Sequence, residues 1–224
     1  MRLKWVHIQS AGELDSVTEP PKFASDFCFK VNHVGTFLTR RARARCLKTS
    51  RWSGVYVEAA FTPGPPRTWQ NCLYCPVQLD RTKYESVSGT ELSAFVTDLF
   101  ERGLRPAASL IGPAFAGISE DIAVFRSLGY RNTWEAFSRY LVGRRLRASL
   151  QCASDPEAFT LHLQLERVTK GAAEVVLRSQ LLRTLPDELC FWYQFKDFTF
   201  DGHSIHVRKR SGDVFASVDI EEYM

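Results

Sequence analysis

The sequence predicts an α+β fold, in which a mainly antiparallel sheet formed by N- and C-terminal strands carries a central group of helices packed on it. Three observations lead there. Short runs rich in β-branched and aromatic residues fill the first 80 residues, apolar residues recur at helical spacing from about 90 to 150, and strict alternation returns from 158 to 220. Strands, helices and strands arranged in blocks, without an alternating strand–helix rhythm, indicate segregated elements. The chain has 224 residues, 45% of them apolar, 24% charged and 12% aromatic. That composition excludes disorder, coiled coil and a disulfide-stapled miniprotein, and a chain of this length buries a core without staples. A single domain covering 1–224 is expected.

Residues 1–10 alternate charged and apolar side chains, so they read as a first strand and lack the apolar middle of a signal peptide. Residues 13–26, with Glu19-Pro20-Pro21, read as a loop, because proline lacks the donor that a helix interior or a central strand needs. Residues 26–31 and 53–61 read as strands, 62–70 as a proline-dense loop and 73–79 as a further strand. Leu92, Phe95, Val96, Leu99 and Phe100 fall on one face of a helix, with Thr90 as N-cap and Gly103 as stop. A second helix is predicted from Ser119 through Ile122, Phe125 and Leu128 to Gly129. A third is predicted from Asn132 or Thr133, turning Trp134, Phe137 and Leu141 inward. The uncharged run 106–119 is broken by Gly and Pro and falls short of the roughly 20 apolar residues a membrane span needs.

Beyond residue 158, Phe159, Leu161, Leu163 and Leu165 alternate with polar residues as in a strand with one buried face. Thr169-Lys170-Gly171 is read as a hairpin turn leading into 174–182, followed by strands at 189–200, 204–209 and 214–220. Asp201-Gly202 is a strong hairpin signal. The C-terminal third is therefore an expected antiparallel meander.

Motifs for chemistry are weak. Cys72-Leu-Tyr-Cys75 has zinc spacing but no second ligand pair, and His203 and His206 lie three apart, which on a strand points them to opposite faces. Asp187 with Gln194-Phe-Lys196 echoes the acidic and (Glu/Gln)-x-Lys pattern of PD-(D/E)xK nucleases over a short stretch only. Phosphate-loop, dinucleotide-loop and nucleophile-elbow signatures do not occur. No catalytic residue, metal ligand or cofactor is assigned. The six cysteines are expected to be reduced thiols in a cytoplasmic protein.

Charge distribution is more informative. The chain carries 29 Lys and Arg against 25 Asp and Glu, a net charge of +4. Between Phe27 and Val57 stand Lys30, Arg40, Arg41, Arg43, Arg45, Lys48 and Arg51 with no acid among them. Arg139, Arg144, Arg145 and Arg147 form a second acid-free cluster. Guanidinium groups favour bidentate contact with carboxylate or phosphate. The expectation is a non-enzymatic binding protein of the inhibitor, immunity or regulatory type. Residues 40, 41, 43, 45, 48 and 51 would meet a macromolecular partner with an acidic surface. The alternative is a nucleic-acid-binding protein or a metal-dependent, nuclease-like enzyme. The competing explanation is a solvated face answered by the chain's own acids, such as Glu13, Asp15, Glu19, Asp219, Glu221 and Glu222.

Overall fold

A computed structural model describes residues 1–11, 21–170, 172–187 and 194–224. They confirm an α+β fold. The chain divides into two compact units, Met1–Asn132 with Asp155–Glu157, and Thr133–Ser154 with Ala158–Met224. The expected sharing of one sheet by N- and C-terminal strands is not what forms: the strands make three sheets, and the N-terminal ones keep a sheet of their own.

In the first unit, β1 (Trp5–Ser10), α1 (Pro21–Ala44) and β2 (Gly54–Ala60) build a strand–helix–strand crossover with β1 and β2 parallel. β3 (Arg67–Trp69) and β4 (Cys72–Gln78) follow, β4 parallel to β2, giving the order β1-β2-β4-β3. The expected strand at 26–31, and the part of the expected loop at 21–26, are instead helix. Phe23, Phe27, Val31, Val34, Leu38 and Ala42 recur every three or four residues and are all buried, and that period over 24 residues outweighs the strand propensity of a six-residue window. Pro21 sits at the first helical position, where its missing N–H costs nothing. Residues 13–20 lie outside the described residues. The expected strands at 53–61 and 73–79 form as β2 and β4. Within the expected loop at 62–70, β3 closes a tight hairpin through Gln70 and Asn71, both at positive φ.

One face of this sheet, with Val6, Ile8, Val55, Val57, Ala59, Leu73, Cys75 and Val77, is buried in one core with the helices. α2 (Arg81–Ser86), α3 (Gly89–Leu104), α4 (Ala108–Ile111) and α5 (Ala114–Ser127) complete the unit. α3 buries Leu92, Phe95, Val96, Leu99 and Phe100 as the spacing requires, with Ser88 instead of Thr90 at its N-cap. α5 begins five residues before the expected Ser119, because Ala114 and Ile118 already belong to the buried stripe of Ile122 and Phe125. At Gly103 a Cβ would lie 2.8 Å from Val57 Cγ1, so glycine lets α3 approach β2.

The second unit is built from strands, with one short 3₁₀ turn at Glu221–Tyr223. β5 (Asn132–Tyr140), β6 (Leu146–Ser154), β7 (Phe159–Thr169) and β8 (Ala172–Thr184) form one sheet in that order, and β9 (Asp197–Phe200), β10 (Ser204–Arg208) and β11 (Val214–Asp219) a second. Residues 132–140 are thus strand where a third helix is expected. The spacing of Trp134, Phe137 and Leu141 suits a helix, but Thr, Trp, Phe and Tyr favour the pleated surface, and β6 supplies the neighbouring strand. The helical block consequently ends near 127 instead of 150. Leu146, Ala148, Leu150 and Cys152 of β6 and Phe159, Leu161, Leu163 and Leu165 of β7 share a core with Phe198, Ile205, Val207 and Ile220. The β7–β8 and β9–β10 hairpins pair antiparallel as expected. Gly171 and residues 188–193, with Cys190 and Trp192, lie outside the described residues.

Candidate functional site

The crossover returns the C-terminal end of α1 to the beginning of β1, and this juxtaposition sorts the first arginine cluster into two sets. The first set is engaged by α5 carboxylates and by Asn132 while keeping part of its surface in water. Arg41 Nε and Arg45 Nη1 each donate to Asp121 Oδ1 at 3.0 Å, and Arg45 Nη2 meets Glu120 Oε2 at 2.5 Å. Asp121 is 1% exposed, so it acts as a buried anchor tying α1 to α5. The hydrogen bonds that Arg45 donates to Glu120 and then to Asp121 raise its pKa. Arg40 donates to Asn132 Oδ1. The acids that answer Arg41 and Arg45 are Glu120 and Asp121, in the middle of α5.

The second set faces water. Arg43 Nε donates to the Lys4 carbonyl at 2.7 Å, and its guanidinium lies 4.1 Å from the centre of the Trp5 ring. Arg2 Nη2 reaches the Arg43 carbonyl at 3.3 Å and Cys46 Sγ at 3.1 Å, while the Arg2 and Lys48 backbones form a bridge. Arg2, Lys4, Arg43 and Lys48 are thus gathered on one exposed patch beside Trp5, itself 40% exposed. Among the described residues none of the four has a carboxylate partner. Arg51, on the α1–β2 connection, stacks 5.1 Å over Trp52. Stacking on an aromatic face holds a guanidinium flat while leaving its N–H groups available. Sequence reasoning missed Arg2 and Lys4, whose alternation with Leu3 and Trp5 was their only signal.

Next to this patch, the sheet face opposite the core carries side chains in register. Trp5, His7 and Gln9 of β1 align with Gly54, Tyr56 and Glu58 of β2, and these with Cys72, Tyr74 and Pro76 of β4. Tyr56 stacks on Tyr74 at 5.2 Å, His7 meets Tyr56 edge-on at 6.2 Å, and Arg67 lies 4.4 Å over Tyr74. Glu58, 5% exposed, is held by Arg67 through two hydrogen bonds of 2.6 and 3.2 Å and by Gln9 Nε2 at 3.2 Å.

The second arginine cluster also divides. Arg147 is taken up by Glu166 and Glu135, and Arg139 lies over the Phe137 ring. Arg144 and Arg145 stand on the β5–β6 loop with no carboxylate partner among the described residues. A groove of about 580 Å³ along α3 pairs Lys83, Arg102 and Arg105 with Asp80, Asp98 and Glu101, and so has no dominant sign.

The remaining motifs have local explanations. Cys72 and Cys75 fall on opposite faces of β4, and burial pushes the Cys75 thiol up to about 12. His206 Nε2 is 2.8 Å from Asp201 Oδ2 and its Nδ1 2.8 Å from Ser217 Oγ. His206 and Ser217 are directly opposed on β10 and β11, and Asp201 closes the β9–β10 turn by accepting from the His203 and Ser204 N–H groups. Those donors and His206 hold its carboxyl well below the usual range. The stretch between Asp187 and Gln194 in the nuclease-like pattern falls largely outside the described residues. His33 is fully buried between the Lys30 carbonyl and Ser93 Oγ, each at 2.9 Å, and desolvation lowers its pKa to about 4. Among the described residues, no helix is long and apolar enough to cross a membrane.

Comparison of the chain with protein-family models, with curated proteins and with solved structures finds no match, so its function is argued from geometry alone.

Proposed function

We propose that this is a non-enzymatic binding protein of the inhibitor, immunity or regulatory type. Its cationic patch of Arg2, Lys4, Arg43 and Lys48 engages an acidic surface on a macromolecular partner. One observation carries this reading: four cations are brought together on one exposed rim with no carboxylate to answer them among the described residues, while neighbouring Arg41 and Arg45 are paired with Asp121. An anchored aromatic, Trp5, lies within the patch, and such side chains are enriched at interface centres. Arg40, Arg41 and Arg45 then position the patch, and Arg51 lies at its margin. A reducing, cytoplasmic setting fits the five described cysteines, all of them free thiols.

A second reading, single-stranded nucleic acid, is favoured by the exposed Trp5 ring beside Arg2 and Arg43, since bases stack on aromatic faces and phosphates pair with arginine. The two separate on capture from a nuclease-treated extract of the native organism. The wild-type chain should retain a protein, and Lys4→Glu/Arg43→Glu/Lys48→Glu should lose it with an unchanged circular dichroism spectrum. Retention of the same protein by the variant contradicts the proposal. Salt-sensitive binding of a single-stranded DNA probe, with no protein retained, transfers the assignment to the second reading.

A further inference from the structure

The β5–β6 loop and β7 together form a concave site of about 300 Å³ in the second unit. Its wall carries Arg144 and Arg145 from the loop, Arg167 and Thr169 from β7, and Tyr223 and Met224. The loop is closed by the Leu141 N–H donating to the Leu146 carbonyl and the Arg144 N–H to the Leu141 carbonyl, with Gly143 at φ +74° turning the chain. Leu146 pairs with Arg167 in the β6–β7 ladder, so the turn that delivers Arg144 and Arg145 ends beside the third guanidinium.

Arg167 Nη2 donates to the Tyr223 carbonyl at 3.2 Å, and that is its one side-chain hydrogen bond among the described residues. Arg144 and Arg145 make none there. The acids of the neighbouring turn face elsewhere: Glu221 lies 3.8 Å from His203 Nδ1, and Glu222 hydrogen-bonds Tyr223. Three exposed guanidinium groups line one small concavity, and their mutual repulsion, already screened by water, falls further when an anion sits between them. Elsewhere in this unit the described arginines at 147 and 208 have found Glu135, Glu166 and Asp197.

We infer that this concavity is a binding site for a phosphate monoester group, held by Arg144, Arg145 and Arg167, with the Thr169 hydroxyl as a further donor. Arginine forks match the oxygen spacing of phosphate, and a dianion offsets more of the mutual repulsion than a carboxylate does. The volume is at the small end for ligand sites and suits a single phosphorylated group. The group could be delivered by a free metabolite or by a phosphorylated side chain. The site lies in a different unit from the cationic patch, so either assignment can fail without the other.

Calorimetric titration with inorganic phosphate, O-phosphoserine and a short phosphoserine peptide tests it. The full-length protein should take up phosphate saturably at one site per chain. Arg144→Gln/Arg145→Gln and Arg167→Gln should each weaken binding by about tenfold or more, and Arg139→Gln should leave it unchanged. Equal affinity for O-phosphoserine and the peptide identifies a small ligand, and tighter binding of the peptide a phosphorylated protein; both carry the assignment. A readout without variants is phenylglyoxal labelling of the wild-type chain, in which phosphate should protect residues 144, 145 and 167 but not 139. Absence of saturable uptake, uptake that survives loss of all three arginines, or equal protection of all arginines overturns the inference.

Discussion

Asp121 is the residue on which the sorting of cations depends. A buried carboxylate between two guanidinium groups replaces water with charge-assisted hydrogen bonds, and removing it leaves both arginines to find solvent. Because Arg41 and Arg45 keep 41% and 34% of their side-chain exposure, that loss is partly repaired by hydration. Asp121→Ala should therefore cost about 2 kcal/mol in chemical denaturation, with the transition remaining cooperative. His33 makes a second prediction. Its folded pKa of about 4 lies below the ordinary histidine value of about 6.5, so between these values the unfolded chain binds a proton that the folded chain refuses. Stability should be fully present above pH 6.5 and fall as pH drops toward 4, by roughly 3 kcal/mol from this group. Denaturation of the wild type and of His33→Gln across pH 4 to 7 checks it: the variant should have the flatter profile, and equal slopes contradict the assignment.

Elements differ in how plainly the sequence declares them. β7 and α3 are legible because each exposes one period over its whole length, two for the strand and 3.6 for the helix, with large apolar residues at nearly every inward position. α1 is obscured by Phe27, Cys28, Phe29 and Val31, which look like a strand in a short window although burial at 27, 31, 34, 38 and 42 keeps helical spacing. β6 hides for the opposite reason: Ala148 and Cys152 alternate with Leu146 and Leu150 but are small, and the surrounding Arg and Ala favour helix. The candidate site was half legible. The stretch from Arg40 to Arg51 could be read directly, but not which cations are neutralised, since Glu120 and Asp121 lie 75 to 80 residues away from their partners. Arg2 and Lys4 joined the patch only through packing of β1 against α1. The contact of α3 with β2 offers a check at this scale. Gly103→Ala drives a methyl group into Val57 and within 3.4 Å of the Cys75 carbonyl, and should cost about 1–3 kcal/mol, read as a lowered denaturation midpoint. A midpoint equal to the wild type would mean that the two elements are less tightly packed than described.

At the scale of the whole molecule, the chain builds two units with separate cores, one a mainly parallel sheet packed with helices and one formed by two antiparallel sheets. Both units leave cations without a carboxylate partner among the described residues: the first gathers Arg2, Arg43 and the two lysines on one patch, and the second gathers Arg144, Arg145 and Arg167 around one concavity. A net charge of +4 is too small to bind acidic partners without such local concentration. Arginine count therefore says less about function than which guanidinium groups remain open. The most direct measurement compares Lys4→Glu/Arg43→Glu/Lys48→Glu with Arg41→Glu/Arg45→Glu, recording partner capture and thermal unfolding for both. The account predicts that the first loses capture and keeps its unfolding curve, while the second unfolds at lower temperature because two new carboxylates face Asp121. Capture that persists in the first variant, or a second variant as stable as the wild type, would contradict it.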